Sequence, residues 1–155
     1  MILPILKHKA PQLRQVAVPF EFDNPTHHMW RQDLQDTLLA CHNAAGLAAL
    51  QIGRMVRVFY AMTGNFAQAF INPTVIETFG SMQTDYEECL SLPNVRALVS
   101  RPYEAIVSWY DVDGREYEGE LAHRALRTFL HELDHLNGVL ISDRKRNPNI
   151  SYEVK

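Results

Sequence analysis

Between residues 24 and 43, apolar side chains recur every three to four positions, and Trp30, Leu34, Leu38 and Cys41 fall on one stripe. That spacing predicts an amphipathic helix with Cys41 in the core. Asn24-Pro25-Thr26 punctuates its start, and Thr26 reads as the N-cap. The period then changes. Short runs rich in β-branched and aromatic residues predict strands over Val56–Met62, Ala69–Ile71, Thr74–Phe79, Val95–Val99 and Ala105–Asp111. The last of these pairs with Glu116–Glu120 across Asp113-Gly114, a strong hairpin-turn signal. Helical spacing returns from about Ala122 to Leu136 and stops at Asn137-Gly138. Ile150–Val154 reads as a final strand. Strands cluster in the middle and helices at either end, which predicts an α+β fold with an antiparallel-leaning sheet.

At 155 residues and 17.8 kDa the chain suits one domain, residues 1–155. A chain of that size buries about 70% of its unfolded surface, so a core forms without disulfides or structural metals. Apolar residues make up 46% and charged residues 21%, which excludes a disordered or fibrous chain. The net charge of −3 leaves no footprint for a polyanion, so nucleic acid is not the expected partner. No apolar run is long enough to span a bilayer, and Pro4 breaks the short apolar opening, so neither a membrane nor a secretory signal is expected. The expected setting is cytoplasmic. Residues 77–120 hold three basic and ten acidic side chains and carry all the net negative charge, in what read as solvated hairpin strands.

Two stretches carry chemistry. Ala44 to Gly53 is small, apolar and glycine-bearing, which suits close backbone approach. His131-Glu132-Leu133-Asp134-His135 is an H-E-x-x-H on the second helix, where the two histidines stack on one face and can bind one metal, with Glu132 near enough to move a proton. The wheel keeps a plainer reading open. Ala122, Ala125, Leu126, Phe129, Leu133 and Leu136 lie on one side, and Arg124, Arg127, His131, Asp134 and His135 on the other, as on an ordinary surface helix. Known peptidase patterns fail on the third ligand. Only Asp143 and Glu153 are acidic after His135, and Ile141 stands where a metzincin has its third histidine. Cys89 is the remaining soft candidate, although a lone thiol is more often inert and buried.

Three segments together resemble the peptide deformylase family. Gly46-Leu47-Ala48-Ala49-Leu50-Gln51 matches the family's G-φ-G-φ-A-A-x-Q from its second glycine on, Glu87, Cys89, Leu90 and Ser91 match E-G-C-φ-S, and His131 to His135 matches H-E-φ-D-H. Order, spacing and flanks agree from about residue 3 to 144. The resemblance implies mostly antiparallel strands around a central C-terminal helix carrying the two histidines. It implies one divalent ion, natively Fe2+ and replaceable by Zn2+, Ni2+ or Co2+, on Cys89, His131 and His135. Glu132 would be the acid–base group, Gln51 and the Leu90 N–H would meet the developing oxyanion, and Gly46 would meet the substrate main chain. The implied activity is removal of formyl from the N-terminal methionine of nascent polypeptides, at the ribosome, by a monomer.

Glu87 and Asp134 read as supports for the ligands, and Arg96 or Arg101 either pairs with them or is an ordinary exposed strand residue. Arg144-Lys145-Arg146 reads as a solvated turn. Ala44 and Leu130 are mild departures from the motifs. Glu88 replaces the glycine of the second motif, and Arg124 and Arg127 stand where the family keeps apolar residues around the methionine side chain. Glu88 is expected to pair with Arg127 or Arg124 across that pocket, leaving the other arginine for an acidic group on the substrate. Two alternatives follow: a hydrolase acting on a different, acidic N-formyl substrate, and a catalytically inactive relative acting as a binding module.

Overall fold

The computed structural model describes residues 1–153. The strand-rich middle forms one five-stranded sheet with its strands in sequence order and every neighbour antiparallel: β1 Gly46–Ala48, β2 Val58–Thr63, β3 Phe66–Cys89, β4 Leu92–Tyr110 and β5 Glu116–Ala122. The α+β class is as the pattern predicts, but four of the expected runs are two long strands. Asn72-Pro73 does not end β3. Asn72 takes a left-handed φ of 48°, the register slips between Ile71 and Thr74, and its side-chain amide bonds both the N–H (2.8 Å) and the carbonyl (3.2 Å) of Phe20. Ser81 to Tyr86 are all exposed, so that part of β3 carries no alternation from which a strand could be read.

Alternate residues of the inner strands serve two cores on opposite faces of the sheet. Val58, Tyr60, Ala69 and Ile71 join Leu34 and Leu38 of helix α1 (Pro25–Ala40), whereas Phe59 and Phe70 join Leu126, Phe129, Leu130, Leu133 and Leu136 of helix α2 (His123–Leu136). Phe129 stands edge-on to Phe59 and Phe70, with ring centroids 5.3 and 5.6 Å apart. The cap of α1 is Asn24, not Thr26: the Asn24 Oδ1 accepts from the Thr26 and His27 N–H groups, while Pro25 starts the first turn. The helix ends at Ala40, so Cys41 lies just beyond it, half-buried rather than in the core, its thiol donating to the Thr37 carbonyl.

The surface-helix reading of α2 is overturned, because Asp134 and His135 on its polar side, and Glu132 at its border, are nearly as buried as its leucines. A third helix that the pattern did not predict, α3 (Ile141–Arg146), follows; Leu140 and Ile141 pack with Leu13, Cys89, Leu92, Ala97 and Val99 and cover the end of the β3–β4 hairpin. Arg144 is therefore fully buried and not part of a solvated turn. Residues 150–153 form no strand, and Val154 lies outside the described residues. Gly138 ends α2 at a φ of +73° against the chain at Arg14, whose carbonyl a Cβ would approach to 2.7 Å. Among the described residues, no helix is long and apolar enough to cross a membrane.

Candidate metal centre

The tip of the β3–β4 hairpin meets α2 from the side, and chemistry concentrates at that joint. Cys89 is the last residue of β3, and His131 and His135 are one turn apart on α2. One ligand atom from each of the three lies within 4.8 Å of the others, a group that can hold a metal ion. The Cys89 Sγ is 3.3 Å from the His135 Nε2. The His131 Nδ1 is bonded at 2.8 Å to the Glu87 carboxylate, which leaves its Nε2 for a metal. A thiolate with two imidazoles suits a tetrahedral divalent ion with one open position. Glu132 Oε2 is buried without a protein hydrogen-bond partner, an arrangement that a water on a bound cation would relieve.

Burial opposes charge on His131, but the Cys89 thiol and the Glu87 carboxylate outweigh it and push its pKa up to about 10. His135 goes the other way: burial and the neighbouring His131 hold it well below the usual histidine range. Burial raises Glu132 to about 7, with the His131 charge pulling it down and Glu87 pushing it up, which places it where a carboxyl can both take and give a proton near neutrality.

A buried ionic network supports these groups. Glu87 accepts two hydrogen bonds from Arg101 (2.6 and 2.8 Å), one from Arg127 (2.7 Å) and one from His131. Burial works against the Glu87 charge, yet Arg101 and His131 hold its carboxyl well below the usual carboxylate range. Arg101 continues to Asp134 (3.0 Å), and Arg144 meets the same carboxylate with two donors (2.6 and 3.2 Å). Of the two strand arginines, Arg101 is thus the buried partner, while Arg96 is exposed and stacks over Tyr86.

Gln51 lies in the short 3-10 helix after β1, Ala49–Ile52, and is buried. Its Oε1 accepts from the Ala48 N–H, and its Nε2 donates to Ser91 Oγ (3.1 Å), with Cys89 Sγ at a longer 3.7 Å. Gly46 has a packing reason for being glycine: a Cβ there would sit 2.9 Å from the Tyr60 carbonyl and 3.1 Å from Glu132.

A cleft of about 820 Å³ opens over the group, lined on one side by Asn43 to Gly46 and on the other by Glu88, Leu90 and Leu92 to Arg96, with Gln51, Cys89, Arg127, Thr128, His131 and Glu132 also reaching it. Three sequence expectations fail here. Glu88 pairs with neither arginine of α2. The strand pleat turns Glu87 inward and Glu88 outward, so Glu88 stays on the exposed rim, 3.5 Å from Arg96. Arg127 therefore meets Glu87 instead. Arg124 is exposed and does not line the cleft, on a first turn of α2 whose residues 123–125 all face solvent. Neither arginine is left for an acidic substrate group, since the Arg127 guanidinium is engaged by Glu87 and the carbonyls of Val99 and Gln83. Sequence reasoning also missed Arg144 and Tyr152, which bonds Arg101, because a basic triplet and a lone tyrosine near the chain end carry no signal of burial.

The family model for polypeptide deformylase matches residues 2–150. A peptide deformylase of Dictyoglomus thermophilum is 34% identical over 152 residues, covering 98% of this chain and 94% of that protein. The crystal structure of peptide deformylase from Thermotoga maritima, 34% identical, matches with a TM-score of 0.84 over 93% of this chain and 97% of that one. A class I type b peptide deformylase from Acinetobacter baumannii, solved with Met-Ala-Ser bound, is 27% identical with a TM-score of 0.83 and covers 93% and 98%. With the motifs, the sheet and the Cys–His–His group in agreement, the chain belongs to the peptide deformylase family of metallohydrolases.

Proposed function

We propose that this chain, as one catalytic domain acting as a cytoplasmic monomer, removes the formyl group from the N-terminal methionine of nascent polypeptides and releases formate. Cys89, His131 and His135 hold one divalent ion, natively Fe2+. When bound, the ion supplies Lewis acidity that brings the pKa of water toward neutrality. Glu132 takes a proton from the attacking water at its unpartnered Oε2 and returns it to the leaving amine nitrogen. Charge developing on the formyl oxygen is met by the Leu90 N–H and by the Gln51 Nε2, one of whose protons is held by Ser91 while the other makes only the long contact to Cys89. Ser91 thereby fixes the amide's direction. β1 is the edge strand of the sheet and Gly46 lines the cleft, so the main chain of an extended peptide adds beside it.

The observation that carries this reading is the buried, unpartnered Glu132 oxygen beside a Cys–His–His group at the base of the cleft. Met-Ala-Ser bound to the Acinetobacter relative supports a peptide that begins with methionine. The engaged guanidinium of Arg127 speaks against the acidic-substrate alternative. The test is formate release from formyl-Met-Ala by protein prepared anaerobically. Glu132→Gln is expected to keep its metal and lose on the order of 10²-fold or more in rate. Loss of the metal in that variant would make Glu132 a ligand and overturn the mechanism.

A further inference from the structure

Two arginines join the β3–β4 hairpin to α2, and they reach in opposite directions. Arg101, on β4, spends two donors on Glu87 within the hairpin and crosses to the helix only through Nη1, 3.0 Å from an Asp134 oxygen that Arg144 shares at 3.2 Å. Arg127, on α2, makes all its bonds across the joint. Its Nη1 donates to the Glu87 carboxylate (2.7 Å) and the Val99 carbonyl (2.9 Å), and its Nη2 to the Gln83 carbonyl (2.8 Å). Gln83 and Glu87 lie on β3 and Val99 on β4, so one side chain grips both strands from a point one turn before His131.

The metal-ligand group is divided across this same joint, with Cys89 on the hairpin and both histidines on the helix. The β3–β4 register slips between Glu88 and Cys89, so the strand ladder alone fixes the cysteine less firmly than the residues before it. A shift of the hairpin tip along the helix would move Cys89 Sγ out of reach of the imidazoles and pull Glu87 from His131 Nδ1. We propose that Arg127 is a positioning residue that clamps the hairpin onto α2 and so sets the distance between the cysteine and the two histidines. It rests on the metal reading above. It does not act on substrate: its side chain is 16% exposed and its donors are turned to acceptors of the protein.

The probe is cobalt(II) alone, titrated anaerobically into chelator-treated protein, with the thiolate charge-transfer and d–d bands as the readout. Wild type is expected to bind one cobalt with a tetrahedral spectrum. Arg127→Met is expected to remain folded, to bind cobalt about tenfold or more weakly, and to shift the d–d bands, as losing a group that orients a ligand does. Arg127→Lys, a point charge that cannot reach all three acceptors, should fall between them. If Arg127→Met does not fold, the Lys variant carries the test and must still weaken cobalt. Wild-type affinity and an unchanged spectrum in the variants would overturn the proposal, as would a change confined to KM for formyl-Met-Ala-Ser, which would place Arg127 on the substrate. If wild type itself shows no cobalt–thiolate band, the metal reading falls instead.

Discussion

Helices α1 and α2 pack on opposite faces of one sheet, and each turns an apolar stripe toward it, but only α1 leaves most of its other side to water. Toward the C-terminal end of α2 the polar groups are buried too, and Glu132, Asp134 and His135 are no more than 4% exposed. Burying a charge such as Asp134 is unfavourable unless it finds a partner, and the partners come from remote parts of the chain: Arg101 on the hairpin and Arg144 on α3 for Asp134, and Glu87 on the hairpin for His131. A polar helix face is therefore ambiguous from its own sequence. What turns it inward is the counter-charge waiting in another element.

Breaking that counter-charge should give the largest effect. Arg101→Met leaves Glu87 and one side of Asp134 buried without their shared cation, and should destabilise the fold by roughly 3–5 kcal/mol, read as the urea midpoint. A loss below about 1 kcal/mol, within the range of surface ion pairs, would mean that the polar side of α2 behaves as a surface after all. On α1 the corresponding break is apolar. Leu34→Ala opens a cavity in the core with Val58, Tyr60 and Ile71 and should cost roughly 2–5 kcal/mol. The two should differ in pH dependence. Glu87 is held below its unfolded pKa, so its contribution is fully present above about pH 4 and is lost as pH falls through the folded value. Wild type should lose stability in acid below about pH 4, and Glu87→Gln, though weaker at neutrality, should lose less there. Leu34→Ala should follow the wild-type profile, displaced to lower stability.

The same contrast explains what was legible. The stripe of α1, the Asp113-Gly114 hairpin and the helical spacing of α2 are local signals, and the structure carries all three. The motif residues Gln51, Cys89, His131 and His135 converge as the family resemblance implies, although no local pattern marks the strand end that carries Cys89 or the short 3-10 helix that carries Gln51. The lengths of β3 and β4 were not legible, because Ser81 to Tyr86 face solvent throughout and Asn72-Pro73 looks like a stop while making a bulge. The partners of Arg127 and Arg144 were not legible either, since they depend on which way a strand residue points and on a short helix without a strong local signal. The cap of α1 is a smaller case: Asn24→Ala should cost about 1 kcal/mol in thermal unfolding, and Thr26→Ala well under half of that.

The sharpest form of the comparison lies in two neighbouring carboxylates. Glu87 and Glu88 differ by one position on β3, and the pleat sends the first inward to four donors and the second to the rim, where its side chain is 72% exposed beside an Arg96 that is 62% exposed. A 3.5 Å contact between two solvated, flexible side chains gains little Coulomb energy and gives up rotamer freedom. Glu88→Gln should therefore change stability by less than about 0.5 kcal/mol, and 1 M salt should erase even that. Glu87→Gln, the same chemical change one residue earlier, should lose several times more and should hold much of its effect in salt, because its partners are out of reach of counterions. Equal, salt-sensitive losses in the two variants would show that the pleat does not separate them, and the pairing of Arg127 with Glu87 rather than Glu88 would have to be withdrawn.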